Sequence, residues 1–335
     1  MPRALILGGT GAIGRATAWR LLTAGWRVDL AGRNPAHLPA DLAAAGARFV
    51  SADRNEQASQ QASDLDLLVD CVCFTADDAA SLLPLARHAR STVMISSKAV
   101  YVDDEGRHSN SAVPPDFGGP IRETQPTLPP GGGDYQTAEG YGPNKVAAER
   151  VLLDSGLPVT VLRPSKIHGA GARQPREWLF VRQVLDRRPA VFLARRGGGV
   201  DHTSAAANIA ALIEVAAARP GARILNSADP DAPSARRIAR TVARHLDHVW
   251  EEILLEGDEL GRHPWDKPHP VVLDTTASLG LGYVPAGDYA GTVTEEIDWL
   301  VSAARGGADA DLLPELCLDY QAEDRWLRGK RSPAR

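Results

Sequence analysis

The 335-residue chain carries 37 Lys and Arg against 42 Asp and Glu, a net charge of −5 that excludes a surface built to wrap nucleic acid. Its three cysteines make neither a disulfide framework nor a four-ligand zinc pattern, so a metal-free protein of the reducing cytoplasm is expected. No run of about 18 apolar residues offers a membrane span, and the chain enters a strand at once, so neither a membrane partner nor a signal peptide is expected.

Ala4 to Leu7 are apolar and run straight into a glycine cluster, followed by a helical pattern over 12–24 that Gly25 closes. Gly8, Gly11 and Gly14 fit one glycine spacing of a dinucleotide fold; Gly9, Gly11 and Gly14 fit another. With Thr10, Ala12 and Ile13 they make a strand, tight turn and helix whose free N–H groups point at an anion. The glycines alone are equally compatible with a plain βα turn. A second strand over 27–31 ends in Gly32-Arg33-Asn34, where such a fold meets the adenosine ribose. An acidic residue there would accept from the ribose hydroxyls, whereas Arg33 suits a 2′-phosphate. NADP(H) is therefore favoured over NAD(H), with Arg33 as a solvated loop charge the alternative. Asp29, in mid-strand, is expected to face solvent or a neighbouring helix.

A third strand over 47–50 leads to Asp53 and Arg54, placed to meet adenine or to cap a helix. A fourth, over 67–74, is an apolar run with Cys71 and Cys73 read as core. A helix over 79–89 and a strand over 92–95 deliver Ser96 to Tyr101. Alternating strands and helices imply a doubly wound parallel sheet, with its ligand crevice outside the carboxyl ends of the strands. The glycine turn, Arg33, Asp53, Thr75 and Ser97 all fall at such ends.

Residues 103–140 are rich in Pro and Gly and read as a functional loop. Tyr141-Gly142-Pro143-Asn144-Lys145 then opens a helix to about Ser155, with Pro143 in its first turn. Tyr141 and Lys145, four apart, share one face. An ammonium one turn away stabilises a phenolate, which suits a proton donor and acceptor near neutral pH. Ser97 is placed to orient the substrate oxygen.

GGTGAIG at 8–14, ISSKAVY at 95–101, YGPNKVAAE at 141–149, LRPSKIHG at 162–169 and DTTASLGLGYVP at 274–285 together resemble an extended short-chain dehydrogenase/reductase of the NAD(P)-dependent epimerase/dehydratase group. The resemblance implies a Rossmann sheet with a smaller C-terminal substrate lobe, and hydride transfer often on nucleotide sugars. It makes Tyr141 the acid/base, Lys145 its partner and a ribose ligand, and Ser97 the substrate-positioning hydroxyl. By family analogy, helices at 79–89 and 142–155 would pair two subunits into a homodimer.

Several positions depart from the group. Gly32-Arg33 replace the ribose-binding acid, and His168 stands where Tyr is common. Asp201 and His202 occupy the neighbourhood of an expected pyrophosphate-binding arginine. Lys98, His168, Arg173, Arg176, Arg195, Arg196 and His202 are the candidate substrate ligands. No acidic pair adjoins Ser97, which ranks dehydration below reduction and epimerisation. The nucleotide-binding domain is expected over 1–167, with 199–228 returning to it. The substrate lobe takes 168–198 and 229–304, and an extension with a disordered basic end takes 305–335. The leading expectation is an NADP(H)-dependent oxidoreductase acting on a polar small molecule, then an epimerase of a nucleotide sugar. A non-catalytic cofactor-binding regulator or RNA-associated protein is the competing class.

Overall fold

A computed structural model describes residues 1–51, 64–307 and 318–331. Asp53, Arg54 and Cys317 lie outside the described residues. Seven parallel strands form the central sheet: β1 Arg3–Leu7, β2 Arg27–Gly32, β3 Arg48–Ser51, β4 Leu65–Asp70, β5 Ala89–Ile95, β6 Val159–Pro164 and β10 Arg223–Ser227. Their order, β3-β2-β1-β4-β5-β6-β10, reverses direction between β1 and β4, so the crevice opens there. The helices are α1 Ala12–Thr23, α2 Ala40–Ala44, α3 Ala76–Ala86, α4 Ala138–Leu153, α5 Trp178–Leu185 and α6 Ala206–Ala218, then α7 Ala235–His245, α8 Thr276–Gly280, α9 Tyr289–Thr292, α10 Thr294–Arg305 and α11 Tyr320–Arg331.

Both faces of the sheet are covered, which is why its strands read as unbroken apolar runs. Ile6, Val28, Leu30 and Val69 pack under α1 and α6, whereas Leu5, Leu7, Leu68 and Met94 pack under α3 and α4. The C-terminal lobe has its own core, in which Trp178, Phe180, Trp265, Tyr289 and Leu300 meet. Two short parallel pairs complete it: β7 Lys166–His168 with β9 Thr203–Ala205, and β8 Ala190–Leu193 with β11 Glu251–Leu254. No helix among the described residues is long and apolar enough to cross a membrane.

The structure corrects several expectations. Asp29 faces neither solvent nor a helix. It is fully buried between β1 and β3, where Arg3 Nε donates to it at 2.9 Å and Arg48 at 2.8 and 2.6 Å, so it is lost to a ribose. Strand β4 stops at Asp70, whose carboxylate accepts from the Val72 N–H and turns the chain; beyond it Cys71 and Cys73 pack into the cores on the two faces, as expected, and the Phe74 ring lies under Lys145. Helix α4 starts at Ala138 with Thr137 accepting from the Gly140 N–H, so Pro143 sits inside the helix and not in its first turn. An apolar periodicity over 289–304, with Val293, Ile297 and Leu300 on one face, suggests a single final helix, but the structure breaks it into α9 and α10 at Val293. Much of the basic tail is ordered: α11 lays Trp326 edge-on against Phe192, 5.4 Å between centroids, and Arg188 donates to Glu323 and Asp324.

Candidate active site

The glycine turn is shaped by what a side chain would strike. A Cβ on Gly14 would lie 2.5 Å from Gly9 Cα and 2.7 Å from the Gly8 carbonyl, so α1 rests directly on the turn. Gly8, at φ +73°, makes the reversal that an L side chain resists. At Gly11 the nearest atom to such a Cβ is 3.8 Å away, which leaves that face open. No side chain caps α1 at Gly11, so its first-turn N–H groups and the helix dipole are presented to the crevice. Thr10 is half-buried, while Ala12 and Ile13 are buried beneath the turn. This cradle fits a dinucleotide pyrophosphate. At the end of β2, Gly32 lies against Phe49 and Arg33 is exposed. Thr75 caps α3, accepting from Asp78 N–H at 3.1 Å while Asp78 accepts from Thr75 N–H at 3.0 Å.

Lys145 is 2% exposed and enters the crevice from α4. Its ammonium donates to the Cys73 carbonyl at 2.7 Å and the Ile95 carbonyl at 2.9 Å, bridging the chain beyond β4 to the end of β5. It lies 4.3 Å from the Phe74 ring centroid and 5.9 Å from that of Tyr141, both favourable to a cation. Tyr135, from the Pro/Gly-rich loop, stacks on Phe74 at 4.9 Å. Ser97 starts the short turn 98–100, accepting from Ala99 N–H at 3.1 Å, so its own O–H proton is left to donate. Gly142 lets α4 approach that turn, since a Cβ there would lie 3.1 Å from the Ala99 carbonyl. Glu149, one turn beyond Lys145, fixes the helix by accepting from Ser96 Oγ at 2.5 Å and from Arg163 at 3.0 and 2.5 Å. Sequence reading missed this buried pair, although i, i+4 spacing puts Glu149 on the face of Lys145.

The candidate substrate ligands divide. His168 is buried, with Nε2 2.8 Å from Asp229 Oδ2 and its ring edge-on to Tyr289. Burial alone would pull its pKa down, but the bond to Asp229 and the charges of Asp229, Glu177 and Asp231 raise it. His202 is likewise committed, accepting from Leu273 N–H at Nδ1 and bonded through Nε2 to the Asp229 carbonyl, which makes it the neutral Nε2–H tautomer. Burial lowers its pKa in keeping with that. Arg195 pairs with Asp258 and Asp266, and Arg196 with Glu256, so both are neutralised at the rim of a separate pocket of about 350 Å³. Arg173 is exposed.

Lys98 and Arg176 remain facing the site. Lys98 is 8% exposed and pairs with Asp201, which Lys166 also meets at 3.3 Å. Arg176 lies close enough to Tyr141, Glu177 and Glu296 to feel their charge. Lys166, inside the LRPSKIHG stretch, and Lys267, which also borders that separate pocket, lie close enough to Lys98 to act on its charge. The residue ratio carried a signal: only five of the 37 basic residues are lysine, and three of those five gather here.

The fold is shared with known proteins. No curated protein matches the chain at a significant level of sequence similarity. Among solved structures, a UDP-N-acetylglucosamine 4-epimerase from Methanobrevibacter ruminantium superimposes with a TM-score of 0.68 at 16% identity, covering 90% of this chain and 98% of its own. A dTDP-glucose 4,6-dehydratase from Bacillus anthracis, in complex with NAD, does so at 0.67 and 15%, covering 91% and 98%. A UDP-glucuronic acid 4-epimerase from Bacillus cereus, with UDP-glucuronic acid and NAD bound, gives 0.65 and 16%, covering 90% and 99%. The family model described as NAD dependent epimerase/dehydratase matches residues 4–197, from the first strand through the turn before β9. The chain belongs to the NAD dependent epimerase/dehydratase family.

Proposed function

We propose that the protein moves hydride between NADP(H) and a carbonyl or carbinol carbon of a polar small molecule, with Tyr141 as acid/base. The observation that carries this reading is Lys145, held by two carbonyls beneath the Tyr141 ring and two residues along β5 from Ser97. When bound, the dinucleotide supplies or accepts the hydride. The turn at Gly8 to Gly14 would hold its pyrophosphate, Arg33 its 2′-phosphate and Lys145 its nicotinamide ribose. Tyr141 gives its phenolic proton to the substrate oxygen as the carbon is reduced, and takes it back as the carbon is oxidised. Ser97 donates to the same oxygen and fixes its direction. Residues 168–198 and 229–304 supply the substrate side.

A second reading, epimerisation of a nucleotide sugar, is supported by the family and by the UDP-sugars bound in two of the similar structures. Purified protein assayed with NADPH across a ketone panel separates the two. Substrate-dependent loss of NADPH absorbance supports reduction; interconversion of UDP-sugar epimers with retained NAD supports the second reading. In either case Tyr141→Phe should lower turnover by about 10²-fold or more while cofactor still binds. Unchanged turnover would sink the role of Tyr141.

A further inference from the structure

The segment that follows β7 comes down directly on the glycine turn. At Gly169, φ +138°, a Cβ would lie 2.8 Å from Ala206 Cβ and 3.9 Å from Ala12 Cβ. At Gly171, φ +84°, it would lie 3.7 Å from the Ala12 nitrogen, 3.8 Å from the Thr10 carbonyl oxygen and 3.9 Å from the Gly11 carbonyl carbon. Ala172 packs with Ala12 and Ala206 in a small cluster of their own. Residues this small let backbone rest on backbone, but they bury little apolar surface that would hold the loop down. A groove of about 710 Å³ runs beside it, lined by Gly169, Ala170, Ala206 and Ala210.

The tie comes from the other domain. Glu296 of α10, fully buried, accepts from the Gly169 N–H through Oε2 at 2.6 Å. Its Oε1 is buried with no hydrogen-bond partner among the described residues, and His168 Nδ1, likewise unpartnered, stands 4.0 Å from Oε2. Burial, then the nearby Glu177, push the Glu296 pKa well above the carboxylate range, against the pull of the Gly169 N–H and Arg176. On a helix that otherwise buries Ile297, Leu300 and Val301, an apolar side chain would fill this place at less cost.

We propose that Glu296 is a positioning residue for the cofactor: it holds Gly169 to Ala172 against the glycine turn, so that the lobe walls the pyrophosphate cradle opposite α1. The inference rests on the cofactor site proposed above and adds to it a residue that touches no ligand. Gly11 stays exposed to the crevice, whereas the Ala12 nitrogen is in contact range of the loop. A phosphate on the first turn of α1 would then have backbone in place of water on its lobe side, where its attraction to the N–H groups is stronger. Without the Glu296 acceptor the Gly169 N–H is buried and unpaired, and the loop gains by lifting to meet water.

Hydrogen exchange on the cofactor-free, full-length protein reads this hold directly. In Glu296→Leu the amides of 169–172 should exchange about tenfold faster or more, while those of β1 and β4 keep wild-type rates. Calorimetric titration should show NADPH bound about tenfold or more weakly, with adenosine 2′-monophosphate, which has no phosphate for the turn, bound as by the wild type. Glu296→Gln keeps the accepting oxygen and should restore both slow exchange and NADPH affinity. Glu296→Asp shortens the reach and serves where Glu296→Leu fails to fold, as judged by its melting curve. Unchanged exchange at 169–172, faster exchange throughout the sheet, or NADPH bound no more weakly than by the wild type would overturn the proposal. Failure of the wild type to bind either dinucleotide sinks the cofactor reading instead, and the exchange rates still decide whether Glu296 holds the loop.

Discussion

The ammonium of Lys145 and the carbonyl of Ile95 meet at 2.9 Å, tying α4 to the end of β5 just before Ser97. That bond gives Lys145 two duties that mutation can separate from those of Tyr141. Lys145→Met leaves the Ile95 and Cys73 carbonyls without their buried donor, at a cost of about 1–3 kcal/mol per group. It should therefore lower both the melting temperature and kcat, the latter by about 10²-fold or more. Tyr141 is half-buried, so its Phe variant should lose kcat with the melting temperature nearly unchanged. Calorimetric melting beside steady-state rates checks the split; equal melting points would show that the two carbonyls find other donors.

The buried His168–Asp229 pair sets a pH window for stability. Burial alone would raise the Asp229 pKa, but the His168 charge and bonds from His168, Thr203 and Ala205 hold it at about 2. Its contribution is complete above about 3.9, the unfolded value, and is lost as pH falls toward about 2. His168 has a raised pKa, so its contribution is complete below about 6.5 and lost as pH rises through the folded value. Melting temperature should therefore be flat between these limits and decline on the alkaline side. His168→Gln removes that alkaline decline and costs about 1–3 kcal/mol, because Asp229 loses the imidazolium but keeps Thr203, Ala205 and Asn208 as donors. A variant that keeps the alkaline decline would place its origin in another group.

The sheet was legible because parallel strands covered on both faces must be apolar throughout, as at 4–7 and 92–95, and glycines mark where they turn. The same logic overran at 71–74, where the strand has ended but Cys71 and Cys73 stay apolar by packing into the cores. The start of α4 was hidden because Thr137 lies in a Pro/Gly-rich stretch, and Pro143 imitated a first-turn proline. The shared face of Tyr141 and Lys145 was legible from their spacing, and the Lys145 ammonium lies 5.9 Å from the Tyr141 ring centroid. That His168 and His202 are both buried and bonded to Asp229 was not legible, because an isolated histidine looks the same in sequence whether it faces a ligand or the core. Lys98, Lys166 and Lys267 are separated by 68 and 101 positions, so no local pattern joins them.

Cofactor choice turns on Arg33. It is exposed at the end of β2, Asp29 is consumed by Arg3 and Arg48, and Gly32 offers no carboxylate. Arg33→Ala should weaken NADPH by about tenfold, near the value of one charge-assisted contact, while leaving NADH affinity unchanged. Fluorescence titration with both dinucleotides measures this. Equal losses for the two would assign Arg33 to general electrostatics, and tighter NADH binding by the wild type would overturn the NADP(H) preference.

The glycine turn separates folding from binding within four residues. Gly14→Ala would drive a methyl into the Gly9 and Gly8 backbone, at 2.5 and 2.7 Å, and neither neighbour is a flexible side-chain end. The helix must lift off the turn, so this variant should be destabilised by about 1–3 kcal/mol, the usual cost of overpacking, and lose cofactor as a consequence. Gly11→Ala meets only the Gly8 carbonyl at 3.8 Å, and its φ of −80° suits any residue. Its methyl projects over the open face of the cradle, where a pyrophosphate must touch backbone. The Gly11 variant should therefore melt like the wild type yet bind NADPH at least about tenfold more weakly. Full affinity in Gly11→Ala would mean that the dinucleotide does not approach this turn.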